Sequence, residues 1–129
     1  MSRLFKLWLP VVVWAAFIFY LSGIPSLKTN LEYDFALRKI AHVVEYFILT
    51  FLLFRAFKGF AVSNVFYFFV YPASFSFLYA VSDEIHQLFV PGRGGSAADV
   101  AIDTLGILVF YLSRKTLGAY IKERLLCRR

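Results

Sequence analysis

Residues 40–54 read IAHVVEYFILTFLLF. Nearly every position is apolar, yet His42 and Glu45 sit inside the run, three residues apart. A helix facing lipid all round would carry neither an imidazole nor a carboxylate. The stretch therefore reads as a membrane helix with one polar stripe turned inward. Lys39, His42 and Glu45 are spaced by three, and Tyr46 follows His42 by four, so all four share a face.

The rest of the chain agrees. It has 129 residues, 60% hydrophobic and 20% aromatic, with 17% charged. Soluble domains average about 25% charged. One domain, residues 1–129, fits this length, and a soluble domain so small could not bury so many Phe, Leu and Val side chains. Three more apolar runs appear: LWLPVVVWAAFIFYL at 7–21, NVFYFFVYPASFSFLYAV at 64–81 and DVAIDTLGILVFYLS at 99–113. Crossing a bilayer takes about 20 residues of helix. The expectation is an all-α integral membrane four-helix bundle, with helices over about 5–22, 38–56, 60–89 and 98–116. Residues 117–129 would form a short basic amphipathic tail on the membrane surface. Pro10 is expected near the start of the first helix, and Pro72 is expected to kink the third. A cleaved signal peptide is disfavoured for the first run, which contains Trp and is followed by no clear A-x-A site. Pairing residues 65–79 as two strands is disfavoured because lipid tolerates no open strand edges. The single cysteine, Cys127, allows no internal disulfide.

The net charge of +6 lies mainly at the ends of apolar runs, which argues for membrane orientation and against nucleic acid. Four spans put Arg3, Lys6, Arg55, Lys58, Arg114, Lys115, Lys122, Arg124, Arg128 and Arg129 on one side. Lys28, Arg38, Lys39 and Arg93 fall on the other. That bias places both termini in the cytoplasm. Glu32, Asp34, Glu45, Asp83, Glu84, Asp99 and Asp103 then belong to the outer half, as do His42 and His86.

Two further stripes accompany the one on helix two. Asp83, His86 and Gln87 sit at i, i+3 and i+4, and Asp99, Asp103 and Gly106 share a face of helix four. Turning the three stripes toward each other keeps them out of hydrocarbon, and Gly106 would allow close helix approach. Such a layer could be a polar lock that merely fixes the bundle. About ten polar side chains, each disfavoured by ~2.5–3.5 kcal/mol at mid-bilayer, point instead to a functional site. The expected ligand-binding residues are Lys39, His42, Glu45, Tyr46, Asp83, Glu84, His86, Gln87, Arg93, Asp99 and Asp103. His42, Asp83, Glu84 and His86 are the candidates for acid–base catalysis. A divalent metal could use His42, His86, Glu45 and Asp99, although no HExxH spacing is present. Arg38, Lys39 and Arg93 could clamp a phosphate, aided by backbone N–H groups of GRGGS. Alternatively that loop is only a turn, with Ser96 or Asp99 capping the helix. No Ser or Cys stands out as a nucleophile, and Asn64 and Tyr67 read as packing or interfacial groups.

The motifs RKIAHVVEYFIL and SDEIHQLFVPGRGGSAADVAIDTLG together resemble the VanZ-like family of small bacterial membrane proteins. The resemblance covers residues 38 to about 110 and, with the first helix, nearly the whole chain. Lys39, His42 and Tyr46 match the family's Lys-x-x-His-x-x-x-Tyr pattern. Asp83, Glu84, Gln87, Pro91 and Arg93 match its DE-x-x-Q-x-x-x-P-x-R pattern, and Asp99, Asp103 and Gly106 complete the set. Arg38 stands where the family usually has an acid. The resemblance implies a link to the bacterial cell envelope and to teicoplanin resistance, without naming a reaction. The expected protein sits in the cytoplasmic membrane with an outward-facing polar pocket. Its partners are membrane lipids, and the pocket binds or handles an envelope lipid or lipid-linked cell-wall precursor. The alternatives are a membrane-embedded enzyme acting on such a lipid, such as a metal-dependent hydrolase or transferase, and a non-catalytic scaffold. Nothing in the residues singles out a cofactor or an oligomeric state.

Overall fold

The computed structural model describes residues 3–25, 34–58 and 65–126, without the side chains of 34, 35, 65, 66, 68 and 116–126. Lys28, Glu32, Asn64 and Cys127, with Arg128 and Arg129, lie outside the described residues. Four helices account for the described fold: α1 Arg3–Ser22, α2 Asp34–Phe57, α3 Val65–Gln87 and α4 Ala97–Leu126.

The helices follow the apolar runs, with four differences in extent, the first being that α2 begins at Asp34, four residues before the expected start near 38. Pro10 lies inside α1, beyond its first turn, because the helix already begins at Arg3. Helix α3 carries Pro72 within it and stops at Gln87, before Pro91 and Gly92, whose φ of 77° is left-handed. Helix α4 runs unbroken to Leu126, so residues 117–126 continue the fourth helix rather than starting a separate one. No proline interrupts that stretch, and its Lys, Arg, Leu and Glu residues favour helix.

Helices α2 and α3 occupy the middle, and each packs on both α1 and α4; among the described residues α1 and α4 do not approach. Consecutive helices are antiparallel: Trp8 meets Phe57, and Tyr111 Oη donates to the Phe69 carbonyl at 2.7 Å. It follows that α2 and α4 run parallel. Gly106 sits at their crossing, where a Cβ would run into the Val43 carbonyl oxygen and crowd the Phe47 amide.

Exposure explains the solvent. Val12, Leu78 and Leu112 are more than 60% exposed, and Phe5, Phe17, Phe51 and Phe75 join them on the outside. A contiguous apolar surface of this kind does not suit water. Among the described residues two helices are long and apolar enough to cross a membrane, Arg3–Ser22 and Ala36–Phe57, and only 11% and 33% of their most apolar windows are buried. The core helix of a soluble protein would be mostly buried. With lipid outside, apolar burial hardly drives association, so packing and interhelical hydrogen bonds hold the bundle. Trp14 Nε1 donates to the Glu45 carbonyl at 3.0 Å, and Tyr79 Oη to the Ala15 carbonyl at 2.6 Å. The Thr50 and Ser76 hydroxyls meet at 2.9 Å, fully buried.

Candidate functional site

The polar residues collect at one end of the bundle, where α1 and α3 finish and α2 and α4 begin. Parallel α2 and α4 make a ladder. Lys39 pairs with Asp99, His42 Nδ1 lies 2.9 Å from Asp103 Oδ1, and the backbone at Val43 and Phe47 packs on Gly106. Steps of three to four residues on both helices keep the rungs in register. Against an ionised Asp103, which can only accept, His42 Nδ1 carries the hydrogen.

Asp83 and Glu84 are neighbours on α3, and adjacent helical residues point about 100° apart. They therefore serve different helices. Asp83 turns to α1, where its Oδ2 accepts from Ser22 Oγ at 2.7 Å and Gln87 Nε2 at 3.0 Å. Glu84 turns to α4, and its Oε2 accepts the Ser96 backbone N–H at 2.8 Å. Ser96 is the N-cap of α4: its hydroxyl accepts the Ala98 N–H at 3.1 Å. A capping box would use an acid three residues into the helix to reach back to that N-cap amide. Asp99 stands there but pairs with Lys39, so Glu84 supplies the acceptor from α3. Gly95 permits this close passage, since a Cβ there would meet the Glu84 carbonyl and the Leu88 side chain.

The cations expected to clamp phosphate are largely engaged. Besides the Lys39 pair, Arg93 donates Nε to the Ile24 carbonyl and Nη2 to the Leu21 carbonyl, each at 3.0 Å. It thereby caps carbonyls at the end of α1. Lysine presents a point charge and not a planar fork. Arg93→Lys is therefore expected to lose one of the two bonds and lower stability by about 1 kcal/mol, read as a fall in the thermal midpoint in detergent. Unchanged stability would remove the capping role.

His86 turns to α1, as Asp83 does, and lies outside the His42–Glu84–Asp103 group. Its ring stacks on Phe19 with centroids 4.1 Å apart. Glu45 is half-buried, and its backbone carbonyl accepts from Trp14 of α1. Of the four metal candidates read from sequence, only His42 falls in a metal-sized group. That group is His42, Glu84 and Asp103, whose ligand atoms all lie within 4.8 Å of one another. Ser22 was missed altogether. It ends an apolar helix at the depth of the other polar residues, which is a faint signal without the fold.

The layer is buried and acceptor-rich. Asp83, Glu84, Gln87, Asp103 and Tyr46 are at most 5% exposed. Within it, Tyr46 Oη, Asp83 Oδ1, Glu84 Oε1, His86 Nε2 and Asp103 Oδ2 are buried without a hydrogen-bond partner. At the edge of the layer the paired Lys39 and Asp99 side chains are 26% and 20% exposed. An apolar groove of about 700 Å³ between Phe69 and Ala73 of α3 and Tyr111 and Arg114 of α4 lies toward the opposite end, away from these groups.

Fold and site together define a helical membrane protein with a buried, acid-rich layer near one end of its bundle. The VanZ/LLP1 family profile matches residues 5–118, and the chain belongs to that family. It is 33% identical to the uncharacterized membrane protein YwnJ of Bacillus subtilis (strain 168), over 78% of this chain and 71% of the relative. No solved structure gives a significant match.

Proposed function

We propose that this chain is a multi-pass protein of the bacterial cytoplasmic membrane whose polar layer, at the extracytoplasmic face, binds an envelope lipid or lipid-linked cell-wall precursor. The observation that carries the reading is the set of buried carboxylate oxygens without donors: Asp83 Oδ1, Glu84 Oε1 and Asp103 Oδ2. Leaving such groups unmade disfavours the fold by about 1–3 kcal/mol each, more when charged. A polar lock would have filled them with partners. Because three of the five orphaned atoms are carboxylate acceptors and the nearby cations are engaged, the site suits hydroxyl- or amine-bearing head groups better than a bare phosphate. The outward orientation rests on the charge bias, and the envelope link rests on the family.

The test uses phosphatidylcholine nanodiscs doped with phosphatidylethanolamine, phosphatidylglycerol or phosphatidic acid, with retained lipid counted by native mass spectrometry. The two donor-bearing lipids are expected to be retained about tenfold over phosphatidic acid, a difference of ~1.4 kcal/mol. Asp103→Asn and Glu84→Gln should erase that preference. Equal retention of all three lipids by the unmutated chain would sink the proposal.

A second reading, an enzyme acting on the same lipid, draws on the His42–Asp103 contact. A carboxylate that orients an imidazole is a common arrangement for general acid–base chemistry. Turnover of a bound lipid that disappears in His42→Gln would favour it.

A further inference from the structure

His42, Glu84 and Asp103 come from three different helices, yet one ligand atom of each lies within 4.8 Å of the others. Glu84 is 5% exposed and Asp103 fully buried. Each carboxylate has one oxygen in use and one without a partner. Glu84 Oε2 holds the Ser96 N–H while Oε1 has none. Asp103 Oδ1 meets His42 while Oδ2 has none. Two buried carboxylates thus face one another with a single imidazole between α2 and α4 as countercharge.

The neighbouring cations direct their donors elsewhere. Lys39 pairs with Asp99, and Arg93 is held by the Leu21 and Ile24 carbonyls. Asp83 adds another buried carboxylate close by, also with one oxygen lacking a donor. Buried carboxylates persist when paired or when they coordinate a metal. Here protein groups supply too few positive partners.

We propose that His42, Glu84 and Asp103 bind a divalent cation of the zinc–manganese class. One imidazole nitrogen with two carboxylate oxygens is a borderline-hard donor set, and the absence of a thiolate disfavours soft ions. Donors on one such ion, with bonds of about 2.0–2.2 Å, lie roughly 3.5 Å apart in a tetrahedron. Small side-chain rotations close the group from its present spacing; coordination through His42 Nδ1 releases the hydrogen it holds toward Asp103 Oδ1 to solvent, and coordination through Nε2 keeps it. Three protein ligands leave a coordination position for water or a ligand oxygen. The approach is at His42, whose side chain is 17% exposed beside the Lys39–Asp99 edge. This proposal draws on the same Glu84 and Asp103 oxygens as the head-group reading, and its test contains no lipid, so either can fail without the other.

Tag-free protein in detergent is stripped with chelator, dialysed, and titrated separately with Zn²⁺, Mn²⁺ and Mg²⁺ by calorimetry, with thermal midpoints recorded in parallel. One Zn²⁺ or Mn²⁺ per chain is expected, with a raised midpoint and weaker Mg²⁺ binding. Glu84→Gln and His42→Gln should each weaken Zn²⁺ or Mn²⁺ binding at least about tenfold. Glu84→Gln keeps an oxygen for the Ser96 N–H, so it retains the α4 cap. Without metal it should melt no lower than the unmutated chain, because it removes one of two facing carboxylates. If Glu84→Gln does not fold, His42→Gln still decides the matter through its loss of binding. Failure of the unmutated chain to take up Zn²⁺ or Mn²⁺ overturns the site. Uptake that both folded variants retain in full overturns it too, as does a preference for Mg²⁺.

Discussion

Gly106→Val is expected to lower the stability of the bundle by about 3 kcal/mol, at the upper end of the range for overpacking. A Cβ at this position meets the Val43 carbonyl oxygen, the Phe47 amide and the Tyr46 Cβ. The first two are backbone atoms and cannot rotate away, so α2 and α4 must separate. Separation pulls apart the rungs above, where Lys39 meets Asp99 and His42 meets Asp103. For a chain of this size, the thermal midpoint should fall by roughly 10 °C. Gly94→Val is the control, because nothing lies within 4 Å of a Cβ there. Thermal unfolding of both variants in the same detergent checks the claim. Similar midpoints would show that the α2–α4 crossing tolerates a side chain.

Replacing Asp83 separates hydrogen bonding from charge. Asp83 is 2% exposed, and its Oδ2 accepts from both Ser22 and Gln87. Asp83→Ala leaves the Ser22 hydroxyl and the Gln87 amide without that acceptor, at about 1–3 kcal/mol for each unsatisfied group. A total loss of roughly 2–6 kcal/mol is expected, on the same groups. Asp83→Asn keeps one oxygen at the same place, so both donors can still be satisfied, and a loss below about 1 kcal/mol is expected. Urea titration in mixed micelles measures the two differences. Equal, large losses for Asn and Ala would show that the negative charge of Asp83, rather than its geometry, holds α1 to α3.

Much of the architecture was legible beforehand. Long apolar runs, each near the length of a bilayer crossing, specify helices because lipid leaves backbone groups no other partner. The spacing of Lys39, His42, Glu45 and Tyr46 set one face of α2, and that of Asp99, Asp103 and Gly106 set one face of α4. Lys39, His42 and Tyr46 meet α4, while Glu45 is not in the His42–Glu84–Asp103 group. The glycine was readable for the same reason: a small residue on a polar stripe marks a close crossing.

Partner choice was not legible. IAHVVEYFILTFLLF told that His42 faces inward but not that Asp103 would meet it. The doublet Asp83–Glu84 gave no sign that one carboxylate would serve α1 and the other the cap of α4. His86, at helical spacing from Asp83, faces α1 as Asp83 does, but there it stacks on Phe19. Gly95 and Ser96 resembled an anion-binding loop, while the Ser96 amide is bonded to Glu84.

The sequence by itself determined a helical membrane protein with inward polar stripes, because helical period and lipid solvation act locally along the chain. Only the tertiary structure decided that His42, Glu84 and Asp103 converge while His86 and Asp99 do not. Convergence depends on how helices rotate and cross. Those are set by contacts such as Gly106 on Val43 and Ser22 on Asp83, between residues about 60 positions apart.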